Sequence, residues 1–152
     1  MKQIFPSVRL RVILADDDDD DRRLLRRAIE NVRVDIALHH IENGEKLIEY
    51  LSLCNGNIPD LIFLDLNMPK KNGLECLTEI RAHKKFNNTV IAIYSTSSAE
   101  KDMDLSFLAG ANIYIIKPDN YETLKKIVAD ILSINWQYHT SRSSIENFVM
   151  LR

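Results

Sequence analysis

Short apolar runs alternate along the chain with longer stretches in which apolar residues recur every three to four positions. The first pattern is typical of buried strands and the second of helices with one buried face. The strand-like runs are residues 12–15, a weaker 36–38, 61–64, 90–94 and 113–116. The helix-like stretches are marked by Leu24, Leu25, Ala28, Ile29 and Val32; by Leu47, Ile48 and Leu51 after Gly44; by Leu74, Leu77 and Ile80; by Leu105 and Leu108; and by Tyr121, Leu124, Ile127, Val128 and Ile131.

Five strand-helix units in succession predict an α/β fold, a doubly wound parallel sheet of five strands with helices on both faces. Ser97 with Glu100, and Asp119 with Glu122, have the spacing of capping boxes before the last two helices. We assign residues 11–133 to this domain, 1–10 to an N-terminal extension and 134–152 to a C-terminal tail.

Composition narrows the class of protein. A chain of 152 residues with 45% hydrophobic and 28% charged residues fits one globular domain and excludes a disordered or fibrous chain. The formal charge of −2 excludes a global basic field for nucleic acid. With no membrane-length apolar run or secretory signal, and with Cys54 and Cys76 outside any CxxC motif, we expect a cytoplasmic protein with two free thiols.

Polar side chains follow four of the five predicted strands. They are Asp16 and Asp17 after the first, Asp65 after the third, Ser95 and Thr96 after the fourth, and Lys117 with Pro118 after the fifth. Because ligands of such sheets bind outside the carboxyl ends of the strands, we expect these groups to converge there.

Clustered carboxylates repel one another unless a cation lies among them, and oxygen ligands favour Mg²⁺. Asp65, after the central strand, is placed to attack phosphorus as a carboxylate nucleophile. The Lys117 ammonium and the Ser95 or Thr96 hydroxyl are suited to stabilise the equatorial phosphoryl oxygens. The residues therefore predict Mg²⁺-assisted phosphoryl chemistry.

Four segments at these strand ends resemble the receiver domain of two-component response regulators, over about residues 11–132. The segments are Ile13-Leu14-Ala15-Asp16-Asp17, Leu64-Asp65-Leu66-Asn67-Met68-Pro69, Ser95-Thr96-Ser97-Ser98-Ala99-Glu100 and Tyr114-Ile115-Ile116-Lys117-Pro118. The resemblance implies the flavodoxin-like strand order 2-1-3-4-5. Among receivers, the chain is similar to stand-alone, chemotaxis-type proteins, including those paired with bacterial phytochrome kinases.

The resemblance also implies a role for each residue of the site. Asp65 is then the phosphoacceptor. Mg²⁺ is held by Asp17 directly, by Asp16 largely through water, and by the backbone carbonyl of Asn67. Lys117 pairs with the phosphoryl oxygens.

Two further implications concern the response to phosphorylation. Ser95 is the switch hydroxyl that moves to the phosphoryl group, and Tyr114 is the coupled aromatic that turns inward with it. The bond that corresponds to Lys117-Pro118 is often cis in this family, an isomer that proline makes accessible.

The function implied is a signalling switch that takes a phosphoryl group from a sensor histidine kinase or a phosphotransfer protein and acts on a downstream protein target through residues 99–132. Its own chemistry is self-catalysed transfer and dephosphorylation, so it is not classed as an enzyme.

One alternative is a receiver-like module that only binds partners. Another is a Mg²⁺-dependent phosphohydrolase with an aspartyl intermediate, but Asp65-Leu66-Asn67 lacks the second acid of its Asp-x-Asp motif.

The acidic run continues beyond the two residues assigned to the metal. Asp18, Asp19, Asp20 and Asp21 are interpreted as helix-capping or solvated acids, which depart from the commoner family pattern. An EF-hand is excluded, because the positions that need glycine and glutamate hold Asp21 and Arg27. The adjacent His39 and His40 are interpreted as exposed strand residues.

The tail of residues 134–152 is too short for a DNA-binding output module. It is either a frayed terminus or a docking arm that covers the domain or a second copy, forming a homodimer. Ser143 and Glu146 have capping-box spacing, and Ile145, Phe148 and Val149 predict one side of a short helix.

Overall fold

The strands and helices follow the predicted alternation. The computed structural model describes residues 9–32 and 35–133, and the backbone of 149–151. The strands are β1 (Leu10–Ala15), β2 (Ile36–Ile41), β3 (Leu61–Leu64), β4 (Val90–Ser95), β5 (Ile113–Ile116) and β6 (Val149–Leu151). The helices are α1 (Asp19–Glu30), α2 (Gly44–Ser52), α3 (Gly73–Arg81), α4 (Glu100–Leu108) and α5 (Tyr121–Leu132), with a short 3-10 turn at Lys84–Phe86.

All strands pair in parallel, in the order β2-β1-β3-β4-β5-β6. The first five confirm the doubly wound arrangement and the order 2-1-3-4-5. The sixth strand, which the sequence did not predict, lies beside β5 and pairs with its outer edge. An edge strand has unpaired backbone groups, and β6 satisfies those of β5.

The core is divided between the two faces of the sheet. Along β1, Ile13 and Ala15 face the layer of α2 and α3, while Val12 and Leu14 face that of α1 and α5. This alternation is the period of two that a strand imposes on its side chains. Within the described ranges, no helix is long and apolar enough to cross a membrane.

Two predicted capping boxes are wrong. Helix α5 is capped by Asn120, whose side chain accepts a hydrogen bond from the Thr123 amide at 2.8 Å, so Asp119 lies one residue outside. Helix α4 begins after Ala99 without a side-chain cap. The Ser97 hydroxyl donates instead to the Asp102 carboxylate and accepts from the amide of Ala99 at 3.2 Å, so it does not cap an amide within α4.

Two other expectations need correction. Leu105 and Leu108 mark the helix but not a buried face, since Leu108 is 78% exposed and the buried residue of α4 is Ser106. The short helix predicted for the tail falls mostly on residues outside the described ranges. Val149, placed in that helix, belongs to β6.

Two glycines allow the turn between β3 and α3 to pack closely. A Cβ atom on Gly44 would lie 2.0 Å from the backbone oxygen of Lys71, and one on Gly73 would lie 2.1 Å from that of Asp65. A side chain at either position would therefore displace backbone, which cannot move aside as a flexible side chain can.

Gly44→Ala is expected to lower the free energy of unfolding by about 2–3 kcal/mol, because the added methyl forces apart α2 and the turn before α3. Urea unfolding followed by circular dichroism measures the change. Glu45→Ala, at the next and exposed position, is the control and should change stability by less than about 0.5 kcal/mol. Equal losses in the two variants would contradict the close approach.

Candidate functional site

The register of the sheet places two carboxyl groups side by side. Ala15 and Leu64 are partners in the β1-β3 ladder, so Asp16 and Asp65 extend the two strands from the same level. The Asp65 amide donates to the Ala15 carbonyl at 2.9 Å. Oxygen atoms of Asp16, Asp17 and Asp65 all lie within 4.8 Å of one another, so the structure brings these three carboxylates together.

Lys117 approaches this cluster from the end of β5. Its amide donates to the Ser95 carbonyl at 2.7 Å. Its Nζ atom lies 2.7 Å from Asp21 Oδ2, 2.9 Å from Asp16 Oδ2 and 3.9 Å from Asp65 Oδ2. The same atom lies 5.2 Å from the centre of the Tyr94 ring, close enough for a cation-π contact.

The two central carboxyl groups are deeply buried, with side chains 4% exposed for Asp16 and 7% for Asp65. Burial, and then the neighbouring charge of Asp16, raise the pKa of Asp65 to about 7, although Lys117 opposes the change. Burial also raises the pKa of Asp16. Both shifts mean that negative charge in this cluster is incompletely compensated.

The cation responds in the opposite direction. Burial alone would lower the pKa of Lys117, but its contacts with Asp21 and Asp16 outweigh burial and the pKa is raised. Lys117 is therefore charged throughout the neutral range. One ammonium faces the carboxylates of Asp16, Asp21 and Asp65, so the cluster has room for more positive charge.

The residues fit a divalent cation. The Oδ2 atom of Asp16 is buried, and its partner within the described residues is the Lys117 ammonium at 2.9 Å, which also faces Asp21. Asp17 and Asp65 supply further carboxylate oxygens close by. An all-oxygen set of a few carboxylates, open to water at the exposed Asp17, is what Mg²⁺ or Mn²⁺ accepts.

The loop between β1 and α1 fixes the orientation of Asp16. Its Oδ1 atom accepts a hydrogen bond from the Asp18 amide at 2.9 Å, and its carbonyl accepts one from the Arg22 guanidinium. Asp18 is the N-cap of α1, as its position in the acidic run predicts, and accepts from the Asp21 amide at 2.9 Å. The acidic run therefore builds the start of the helix as well as the cluster.

A single loop residue connects Ser95 with Tyr114. The Ser97 amide donates to Ser95 Oγ at 3.1 Å, and the Tyr114 hydroxyl donates to the Ser97 carbonyl at 2.9 Å. The Tyr114 side chain is fully buried and turned inward. Burial raises the pKa of Tyr114, and hydrogen bonds with Ser97 and Ser95 offset part of this rise.

Other predicted residues lie at the same edge with fewer contacts. Asn67 and Thr96 are exposed, and the Asn67 amide lies 3.4 Å from Asp65 Oδ1. The Lys117-Pro118 bond is trans, as are all peptide bonds of the described residues, so the cis isomer that the family resemblance implied is not the one in this structure. Trans is the isomer that X-Pro bonds favour by about 0.5–1 kcal/mol.

The histidine pair lies on β2, at the edge of the sheet. His39 is exposed and stacks on Tyr50 at 4.4 Å between ring centres. His40 is half-buried rather than exposed, and burial followed by the charges of Arg26 and Arg22 lowers its pKa.

Sequence reasoning missed two residues of the site, Asp21 and Tyr94. Asp21 lies in the first turn of α1, and helical side chains tilt toward the N-terminus, which here faces the strand ends. This tilt could have identified it. Tyr94 was interpreted only as part of a strand, and its contact with Lys117 depends on tertiary packing that no local pattern shows.

Comparisons with known proteins agree with this geometry. The family model described as the response regulator receiver domain matches residues 12–129. The chain is 31% identical over 126 residues to the response regulator Rcp1 of Synechocystis, an alignment covering 80% of this chain and 86% of Rcp1.

Two solved structures have the same fold. One is the phosphorylated cyanobacterial phytochrome response regulator RcpA, with a TM-score of 0.77 and 32% identity over 86% of this chain and 96% of RcpA. The other is the Mn²⁺-bound form of Rcp1, with a TM-score of 0.75 and 28% identity over 85% of this chain and 96% of that one.

Asp65→Asn is expected to stabilise the fold at pH 8 in the presence of EDTA. The pKa of Asp65 rises from its ordinary 3.8 to about 7 on folding, so between these values the folded state binds more protons and stability falls as the pH rises. The amide has no such penalty. The gain should exceed about 1.4 kcal/mol, the equivalent of one pKa unit.

Urea unfolding between pH 5 and pH 8 measures this gain, which should shrink toward pH 5 as the wild-type carboxyl becomes protonated in the folded state. Asp119→Asn, on an exposed carboxylate at the same edge of the sheet, is the matched control. A gain at pH 8 no larger than that of the control would contradict the uncompensated buried charge.

Proposed function

Because the chain belongs to the response regulator receiver family of two-component systems, we propose that it is a phosphorylation switch whose phosphoacceptor is Asp65. The observation that carries the proposal is the meeting of a buried Asp65 with Asp16, Asp17 and Lys117 at one edge of the sheet. Receiver domains are signalling modules rather than classical enzymes, and the chemistry proposed for this chain is limited to its own phosphorylation and dephosphorylation.

The proposed donor is the phosphohistidine of a sensor histidine kinase or a phosphotransfer protein. An Asp65 oxygen forms a bond to phosphorus as the P–N bond to imidazole breaks, and the bonding electron pair leaves with the imidazole. In dephosphorylation, water attacks the same phosphorus and the Asp65 carboxylate is released with inorganic phosphate. Desolvation of Asp65 leaves its oxygens poorly compensated, which suits a nucleophile.

Asp16, Asp17 and Asp65 would hold Mg²⁺, with the backbone carbonyl of Asn67 as a further ligand. The Mn²⁺-bound form of the similar Rcp1 and the meeting of carboxylate oxygens from Asp16, Asp17 and Asp65 support this assignment. When bound, the ion supplies positive charge for the phosphoryl oxygens. The chain's own contribution to that charge is Lys117, whose ammonium lies 3.9 Å from Asp65 and is held at the edge where a phosphoryl group would project.

Ser95 and Tyr114 are proposed as the switch. A phosphoryl group that draws the Ser95 hydroxyl toward it removes the acceptor of the Ser97 amide. Because the Ser97 carbonyl accepts a hydrogen bond from the Tyr114 hydroxyl, movement of this loop is transmitted directly to the Tyr114 side chain. The two states of this loop then give partners two surfaces to distinguish.

The proposed target-facing surface is residues 99–132, which contain the exposed Leu105 and Leu108 of α4. Exposed apolar side chains of this size favour contact with another protein. A homodimer formed through the C-terminal tail is a further proposal for the partners of this chain.

Incubation with acetyl phosphate and Mg²⁺ should add one phosphoryl group to the wild-type chain, measured by intact mass. Asp65→Asn should add none, because its amide is not a nucleophile. EDTA should abolish the gain, and Asp17→Asn, which removes one carboxylate of the cation set, should require a higher Mg²⁺ concentration for the same extent.

Asp20→Asn is the matched control for Asp17→Asn, since it removes an exposed acid of the same run that is paired with Arg23. It should be phosphorylated as the wild type is. No gain in wild-type mass with any donor, in a protein whose circular dichroism is intact, would overturn the proposed phosphoacceptor and favour a module that only binds partners.

A further inference from the structure

The Lys117 ammonium lies at three different distances from its three carboxylate neighbours. Within residues 9–32 and 35–133, its hydrogen bond goes to Asp21 at 2.7 Å. Asp16 Oδ2 forms a second close ion pair with the ammonium at 2.9 Å, whereas Asp65 Oδ2, at 3.9 Å, is too far for a hydrogen bond. The Lys117 ammonium is therefore bound more closely to Asp21 of helix α1 than to Asp65 at the end of β3.

Asp21 differs from the other acids in the first turn of α1. Asp19 pairs with Arg22 and Asp20 pairs with Arg23, so the charges of these two acids are compensated within the helix. Asp21 is the member of this turn that reaches across to β5, and its side chain is only 32% exposed. Its backbone amide is bonded to the Asp18 side chain, which fixes the turn from which it reaches.

We propose that Asp21 is a positioning residue that holds Lys117 toward α1 and away from Asp65 in the unphosphorylated protein. The inference rests on the proposed function, since it concerns the lysine expected to pair with the phosphoryl group. A phosphoryl group on Asp65 then has to compete with Asp21 for the same ammonium. Asp21 thus restrains both the formation and the accumulation of the phosphorylated form.

The direction follows from charge and distance. Without the Asp21 carboxylate, the ammonium keeps Asp16 and Asp65 as partners, and both lie on the phosphoryl side of the cluster. Loss of Asp21 also removes a negative charge near the approach of an anionic donor. Both effects favour transfer from acetyl phosphate, in which the Asp65 O–P bond forms, the P–O bond to the acetyl group breaks and acetate leaves with the electron pair.

Timed intact-mass measurements with acetyl phosphate and Mg²⁺ test the restraint. Asp21→Asn should be phosphorylated about three- to fivefold faster than the wild type, the size expected for a partly exposed ion pair. Asp20→Asn removes the same charge one residue away without touching Lys117, and should stay near the wild-type rate. Asp21→Glu, which keeps the carboxylate, should restore the slower rate.

A second readout follows Lys117 itself. In protein labelled with ¹⁵N-lysine, the ammonium signal that disappears in Lys117→Gln is that of Lys117. Its chemical shift should change in Asp21→Asn and remain unchanged in Asp20→Asn, in EDTA and without any phosphoryl donor. A merely structural role for Asp21 would not produce this difference between two variants of equal charge.

The outcomes separate this inference from the proposed function. Normal phosphorylation with equal rates in Asp21→Asn and Asp20→Asn, or an unmoved Lys117 signal, would overturn the restraint and leave the phosphoacceptor intact. A slower rate in Asp21→Asn would also overturn it, since Asp21 would then be assisting the transfer. Absence of phosphorylation in the wild type would overturn the proposed function, while the Lys117 signal would still decide where the ammonium is held.

Discussion

The burial of like charges at one edge of the sheet determines the form of this site. Parallel strands deliver their carboxyl ends to the same place, and the register of β1 with β3 sets Asp16 beside Asp65. Two carboxyl groups so close and so little exposed cannot both be charged without nearby cations. Lys117 supplies one, and the raised pKa values of Asp16 and Asp65 indicate that the compensation is incomplete.

The surrounding backbone holds this unfavourable arrangement in place. Asp16 is fixed from both ends, by the Asp18 amide at its side chain and by Arg22 at its carbonyl. Asp65 lies against Gly73, where a side chain would collide with its carbonyl oxygen. Charged groups held rigidly where charge will change during a reaction are a general means of stabilising a transition state, and they cost folding stability in the resting protein.

The alternation of strands and helices predicted the five-stranded parallel sheet, and the resemblance to receiver domains implied its order. The meeting of Asp16, Asp17, Asp65 and Lys117 could be predicted because the strand-end rule is a property of the whole fold. Prediction from the sequence was wrong where adjacent residues compete for the same structural role. Asn120 rather than Asp119 caps α5, a choice that depends on backbone angles at adjacent residues. Strand β6 and the contacts of Asp21 and Tyr94 depend on tertiary packing, which periodicity does not report.

The central claim is that the phosphoryl group is carried by Asp65, and chemical mapping tests it most directly. Borohydride reduces an acyl phosphate to a primary alcohol, so a phosphorylated aspartate becomes homoserine. After treatment with acetyl phosphate, Mg²⁺ and then borohydride, tandem mass spectrometry of peptides should find homoserine at position 65. Homoserine at position 16, 17 or 21, with Asp65 unmodified, would contradict the account.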